Sequence, residues 1–129
     1  MTLKCLIVED SPFMREIYRY SLRELNNFSI VAEAQDGEEA IKLLLELQPD
    51  ILILDLVLPK KNGIDVLRDL PTISAHTKTI VISSLEDENI ITQAKALGAI
   101  FYLLKPFTKL QLVTAIEEIS KNYSEVQSG

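Results

Sequence analysis

One cysteine, Cys5, is all that the 129-residue sequence contains, so no disulfide can form within the chain. Cys5 sits inside the apolar run LKCLIV and reads as a small core residue rather than a reactive thiol. Histidine also occurs once. His76 lies in the polar stretch Pro71 to Lys78, with no second His or Cys placed to share a metal, and reads as a solvated loop residue. Long apolar runs are absent: nothing approaches the roughly 18 residues of a membrane span. The N-terminal MTLKCLIVED is too short and too soon acidic for a signal peptide, which leaves a cytoplasmic protein as the expectation. Basic charge is in deficit, with 13 Lys and Arg against 19 Asp and Glu and a formal charge of −6. That speaks against a general nucleic-acid or anionic-membrane binder, both of which reward a basic face. No repeat, low-complexity stretch or interdomain linker is apparent.

What remains is a chain of one-domain length with 47% hydrophobic and 25% charged residues, as a folded soluble domain has. Short apolar runs alternate with longer amphipathic segments. Strands are expected at Leu3 to Val8, Ser29 to Ala34, Ile51 to Leu54, Thr79 to Ser83 and Ile100 to Leu104. Helices are expected at Ser11 to Leu25, Gly37 to Leu47, Gly63 to Leu70, Asp87 to Leu97 and Thr108 to about Asn122. Ser11 is the expected N-cap of the first helix, with Pro12 at its first position. Pro71 is expected to stop the third helix, and Gly98 to close the fourth. Residues 124–129 read as a frayed polar tail after a domain of residues 1–123. Five strands alternating with five helices predict an α/β fold with a parallel sheet covered on both faces. The runs of the first, third and fourth strands suit central positions, and the second reads as an edge.

In such a sheet, ligands bind beyond the carboxyl ends of the strands. Glu9 and Asp10 follow the first strand, Asp55 the third, Ser83 and Ser84 the fourth, and Lys105 and Pro106 the fifth. Asp55 stands inside the apolar stretch DILILDLVLPKKNG, where an unpaired charge is costly. Each position has two readings. Glu9 and Asp10 are either acids favoured at a helix start or hard oxygen ligands that, with Asp55, suit Mg²⁺. Lys105 is either solvated or aimed back over the rim, and a cis bond to Pro106 would aim it so. Ser83 is either a turn residue or a hydroxyl donor to a phosphoryl oxygen.

LIVEDSPFMR, DILILDLVLPKKNG, IVISS and FYLLKPF, in this order and spacing over residues 3 to 122, resemble the receiver domain of two-component response regulators. Single-domain chemotaxis regulators are among that family. The resemblance implies one doubly wound, flavodoxin-like sheet of order 2-1-3-4-5. It implies that Asp55 accepts a phosphoryl group from a phosphohistidine on a histidine kinase or a histidine phosphotransfer protein. It also implies Mg²⁺ or Mn²⁺, held by Asp10, Asp55 and the backbone carbonyl of Val57, with Glu9 helping through water. Lys105, Ser83 and Ser84 would bind the phosphoryl oxygens, and Ser83 and Tyr102 would form the switch. On its own, Tyr102 reads as a half-buried strand aromatic. The switch would bias helix four, strand five and helix five, roughly Glu88 to Glu118, toward a downstream protein target.

The donor is expected near the first helix, where Phe13, Met14 and Ile17 are apolar. Neither nucleic acid nor membrane binding by this domain is expected, and the protein should be a monomer or weak dimer. The resemblance implies a signalling phosphoprotein, not a turnover enzyme. A flavin module would need a glycine- and hydroxyl-rich loop where EDSPF stands. A phosphatase of the haloacid dehalogenase type would need an acid at Val57. A receiver that signals without phosphorylation, or one cut from a longer regulator, are the remaining alternatives.

Overall fold

The fold was obtained as a computed structural model that describes the backbone of residues 2–128 and side chains through Asn122. Its strands are β1 (Leu3–Val8), β2 (Phe28–Ala34), β3 (Ile51–Leu54), β4 (Lys78–Ser83) and β5 (Ala99–Leu104). Its helices are α1 (Pro12–Leu22), α2 (Gly37–Leu47), α3 (Gly63–Ile73), α4 (Glu88–Ala96) and α5 (Lys109–Ser128). All strands are parallel, in the order β2-β1-β3-β4-β5. The strands expected at central positions, β1, β3 and β4, are central, and β2 lies at one edge; β5, although wholly apolar in sequence, forms the other.

Alternation along each strand sends neighbouring side chains to opposite faces. Leu6, Val8, Leu52, Leu54 and Val81 pack with Ala40 and Leu44 of α2, Val66, Leu67 and Leu70 of α3, and Ala94 of α4. Cys5, Ile7, Ile51, Ile53, Ile80 and Ile82 pack with Tyr18 and Leu22 of α1 and Leu112, Ala115, Ile116 and Ile119 of α5. The sheet is therefore the middle layer of three. Cys5 is fully buried, and burial pushes its thiol pKa far up, as suits a core residue.

The expected bounds needed three corrections. Pro71 does not stop α3; it sits inside the last turn, and the helix runs to Ile73. A proline late in a helix removes one N–H bond, while the Ser74 N–H still reaches the Leu70 carbonyl at 2.9 Å. Ile73 packs against the core and holds the turn in place. α1 ends earlier than Leu25, with Arg23 as C-cap. α5 continues past Asn122 to Ser128, through residues read as a polar tail. The side chains of that tail, and Gly129, lie outside the described residues. No helix among the described residues is long and apolar enough to cross a membrane. His76 is half-exposed in the α3–β4 loop, with its ring nitrogen 3.1 Å from the Gln48 carbonyl oxygen.

Candidate functional site

Three loops meet at the carboxyl ends of the central strands. β1 pairs with β3 up to Val8 and Leu54, and the Asp55 N–H extends that ladder to the Val8 carbonyl at 3.0 Å. Glu9 and Asp55 are thus neighbours across the β1–β3 seam. Glu9, Asp10 and Asp55 each offer a carboxylate oxygen within 4.8 Å of the others. Glu9 and Asp55 are buried, and Asp10 is exposed.

Lys105 reaches this cluster from the end of β5. Its ammonium donates to Asp55 Oδ2 at 2.8 Å and to Glu9 Oε1 at 2.7 Å. The Lys105–Pro106 bond is cis, and the Lys105 N–H is held by the Ser83 carbonyl at 3.0 Å. The misplaced charge of the third strand is therefore paired, but three carboxylates outnumber one contacting ammonium. All the donor atoms are hard oxygens set close together, so the residues fit a small divalent cation such as Mg²⁺ or Mn²⁺.

The other expected positions lie at or near the carboxyl ends of β3, β4 and β5. The Val57 N–H donates to Asp55 Oδ1 at 3.1 Å, while the Val57 side chain is 54% exposed. Ser83 is buried, and its hydroxyl accepts from the Leu85 N–H at 3.3 Å. Ser84 is the next residue and is exposed. Tyr102 is half-buried against the core and its hydroxyl donates to the Leu85 carbonyl at 2.8 Å. Ser83 and Tyr102 are thus both tied to the backbone of Leu85. Burial, with the Asp55 charge adding to it, raises the Tyr102 hydroxyl pKa.

The sequence did not single out two residues of α1 that also touch the site. Tyr18 is fully buried, stacks on Phe107 with ring centroids 5.4 Å apart, and points its hydroxyl at Glu9 Oε1 at 3.4 Å. Arg15 donates to the Glu9 carbonyl oxygen at 2.7 Å. Arg15, Tyr18 and Leu22 fall at helical spacing on the face of α1 turned to the sheet. A charged residue in that stripe was the available signal.

Burial is the main reason the Glu9 carboxyl pKa is raised, and the Asp55 charge adds to it. Hydrogen bonds from Lys105 and the Ser11 N–H oppose the rise without cancelling it. For Lys105, burial acts downward, but its bonds to Asp55 and Glu9 outweigh it and the net shift is upward. A carboxyl that holds its proton more tightly when folded stabilises the fold fully only below its unfolded pKa. That contribution is lost as pH rises through the folded value. Glu9→Gln is therefore expected to gain stability relative to the parent in chelator as pH rises from about 4.3, the ordinary Glu value. Urea midpoints for the two proteins across that range check this, and a gap that stays constant or narrows contradicts it.

Residues 5–117 match the model of the family described as the response regulator receiver domain. The chain is 37% identical to "Protein CcdB" of Bacillus subtilis, covering 90% of this chain and 96% of that one. It is 32% identical to the chemotaxis protein CheY of Thermotoga maritima, over 94% of this chain and the whole of that one. Other curated relatives are longer, and the chain spans about half of them, 56% in one case. A solved CheX–CheY–BeF3–Mg²⁺ complex from Borrelia burgdorferi contains a chain of the same fold, with a TM-score of 0.85 and 27% identity. That likeness covers 91% of this chain and 88% of that one. Receiver domains bind Mg²⁺ at an acidic pocket, and Glu9, Asp10 and Asp55 form an acidic cluster here. The chain belongs to the receiver domains of two-component response regulators, a family of signalling proteins typically phosphorylated on an aspartate.

Proposed function

We propose that Asp55 is the phosphoacceptor and that Lys105, Asp10 and Glu9 serve its reaction with a phosphohistidine donor. The observation that carries this reading is the Lys105 ammonium held on Asp55 beside two further carboxylates. An Asp55 oxygen attacks phosphorus as the phosphorus–nitrogen bond of the donor breaks, and the imidazole leaves with its electron pair. Lys105 holds Asp55 in place and offers a cation to the incoming phosphoryl oxygens.

Asp10 and Asp55, with the Val57 carbonyl, would hold Mg²⁺ or Mn²⁺, and Glu9 would help through water. When bound, the ion supplies positive charge against that gathering on the phosphoryl oxygens. Without a divalent cation, a phosphoryl group approaching three carboxylates meets like charge, so phosphorylation is expected to require one. Incubation with acetyl phosphate or a phosphorylated kinase, with Mg²⁺ or with excess chelator, tests this. Equal phosphorylation in both would contradict it.

Ser83 and Ser84, at the carboxyl end of β4, would bind the phosphoryl oxygens. The output reading is that Ser83 turns toward the phosphoryl group, breaks its bond with the Leu85 N–H and shifts the loop that holds Tyr102. The target surface is then α4, β5 and α5, where Ile100 and Leu104 are exposed. The donor would dock beside α1. There Phe13 is exposed, and an apolar groove of about 300 Å³ is lined by Met14, Ile17, Lys105, Pro106 and Phe107.

Val57 and Leu85, two residues past Asp55 and Ser83, are both apolar and cannot orient an attacking water. The aspartyl phosphate is therefore expected to be long-lived. Polar side chains at both positions are expected to shorten its lifetime about 10-fold, a fraction of a full general-base contribution. Decay of the phosphoprotein in chelator-quenched samples measures this, and an unchanged lifetime would count against it.

A further inference from the structure

We infer that Arg15 is a positioning residue for the divalent-cation site, acting through the peptide between Glu9 and Asp10. Neighbouring side chains in extended backbone point to opposite sides. Glu9 and Asp10 nevertheless bring carboxylate oxygens into one cluster. The peptide joining them must therefore be held away from the strand's regular course. Its carbonyl oxygen, that of Glu9, accepts from Arg15 Nη1 at 2.7 Å. Among the described residues, no hydrogen bond or ion pair reaches the Asp10 carboxylate, so its direction follows from its backbone.

Arg15 is itself fixed. Its side chain is 14% exposed, and its Nε lies 3.3 Å from Glu33 Oε1 on the edge strand. Arg19 pairs with the same Glu33 oxygen. The guanidinium thus spans from β2 to the acidic loop, its Nε in ion-pair contact with the carboxylate and its Nη1 donating to the carbonyl. A lysine keeps the charge, but its donors radiate from one nitrogen and cannot reproduce the separate Nε and Nη1 contacts of the planar guanidinium.

The inference rests on the proposed Mg²⁺ site, and its test separates the two. Mg²⁺ binding is measured by calorimetry on the full chain and on Arg15→Met, Arg15→Lys and Glu33→Gln, with urea midpoints in chelator as a separate measure of folding. The Mg²⁺ Kd is expected to rise about 10-fold in Arg15→Met, as for other residues that orient a ligand without touching the metal. Smaller rises are expected in Arg15→Lys and Glu33→Gln, which keep the fold if Arg15→Met does not.

A residue acting only through its charge would give the opposite sign. Removing a cation beside a cation site would then tighten Mg²⁺ binding in Arg15→Met. That result, or an unchanged Kd in the folded Lys and Gln variants, overturns the inference. A parent protein that binds no Mg²⁺ would instead overturn the metal site on which it rests.

Discussion

Gly37→Ala is expected to lose about 3 kcal/mol of stability, at the upper end for forcing extra volume into a packed region. A Cβ at Gly37 would stand 1.8 Å from the Lys61 carbonyl oxygen and 2.5 Å from its carbon. Both are backbone atoms, and neither can swing aside. The Lys61 peptide is fixed by its N–H on the Pro59 carbonyl at 2.7 Å, and the Gly37 N–H approaches the same carbonyl at 3.3 Å. The gain of about 1 kcal/mol that alanine usually brings in a helix does not offset such an overlap. The effect reaches the site because residues 59–61 follow directly on Asp55 and Val57. Gly63 makes a similar close approach, with a Cβ there 2.6 Å from the Asp55 carbonyl oxygen, and Gly63→Ala should disturb the peptide of Asp55 itself. Urea unfolding with the slope held in common measures both variants, and midpoints within error of the parent would contradict the packing account.

Asp10→Asn is expected to slow phosphorylation by acetyl phosphate about 100-fold or more, the scale of losing one preorganised charge-stabilising contact. The same change should leave the urea midpoint in chelator unchanged or higher. Asp10 is exposed and shares a cluster in which three carboxylates face one contacting ammonium, so removing one charge relieves repulsion. Loss of function with no loss of stability is the signature of a residue kept for its ligand. A large drop in stability, or a parent-like rate, would contradict that role.

Much of this arrangement was legible in the sequence because it depends on period and punctuation. The apolar runs marked the strands, and the polar interruptions of β2 marked it as an edge, whereas the wholly apolar β5 gave no sign that it is the other edge. The positions at the strand ends placed Glu9, Asp10, Asp55, Ser83 and Lys105 on one rim. Asp55 itself stood out as a charge in an apolar run, and the structure shows it paired with Lys105.

What was not legible depends on loop geometry and on contacts between distant segments. Pro71 reads locally as a stop, yet packing of Ile73 carries α3 past it. Gly37 and Gly63 read as helix starts, but their lack of a side chain is required by the β3–α3 loop and the Asp55 peptide. Arg15 reads as one more charge on α1 until its guanidinium is seen on the Glu9 carbonyl. Tyr18 was not singled out in the sequence; it lies in the core, and its hydroxyl also faces the carboxylate that Lys105 holds.

By the proposal above, Asp55 takes the phosphoryl group in a divalent-dependent reaction. Intact-mass measurement of the parent and Asp55→Asn after acetyl phosphate and Mg²⁺ tests it most directly. A single phosphoryl adduct is expected on the parent and none on Asp55→Asn. An adduct of equal yield on Asp55→Asn would place the phosphoryl group elsewhere and contradict it.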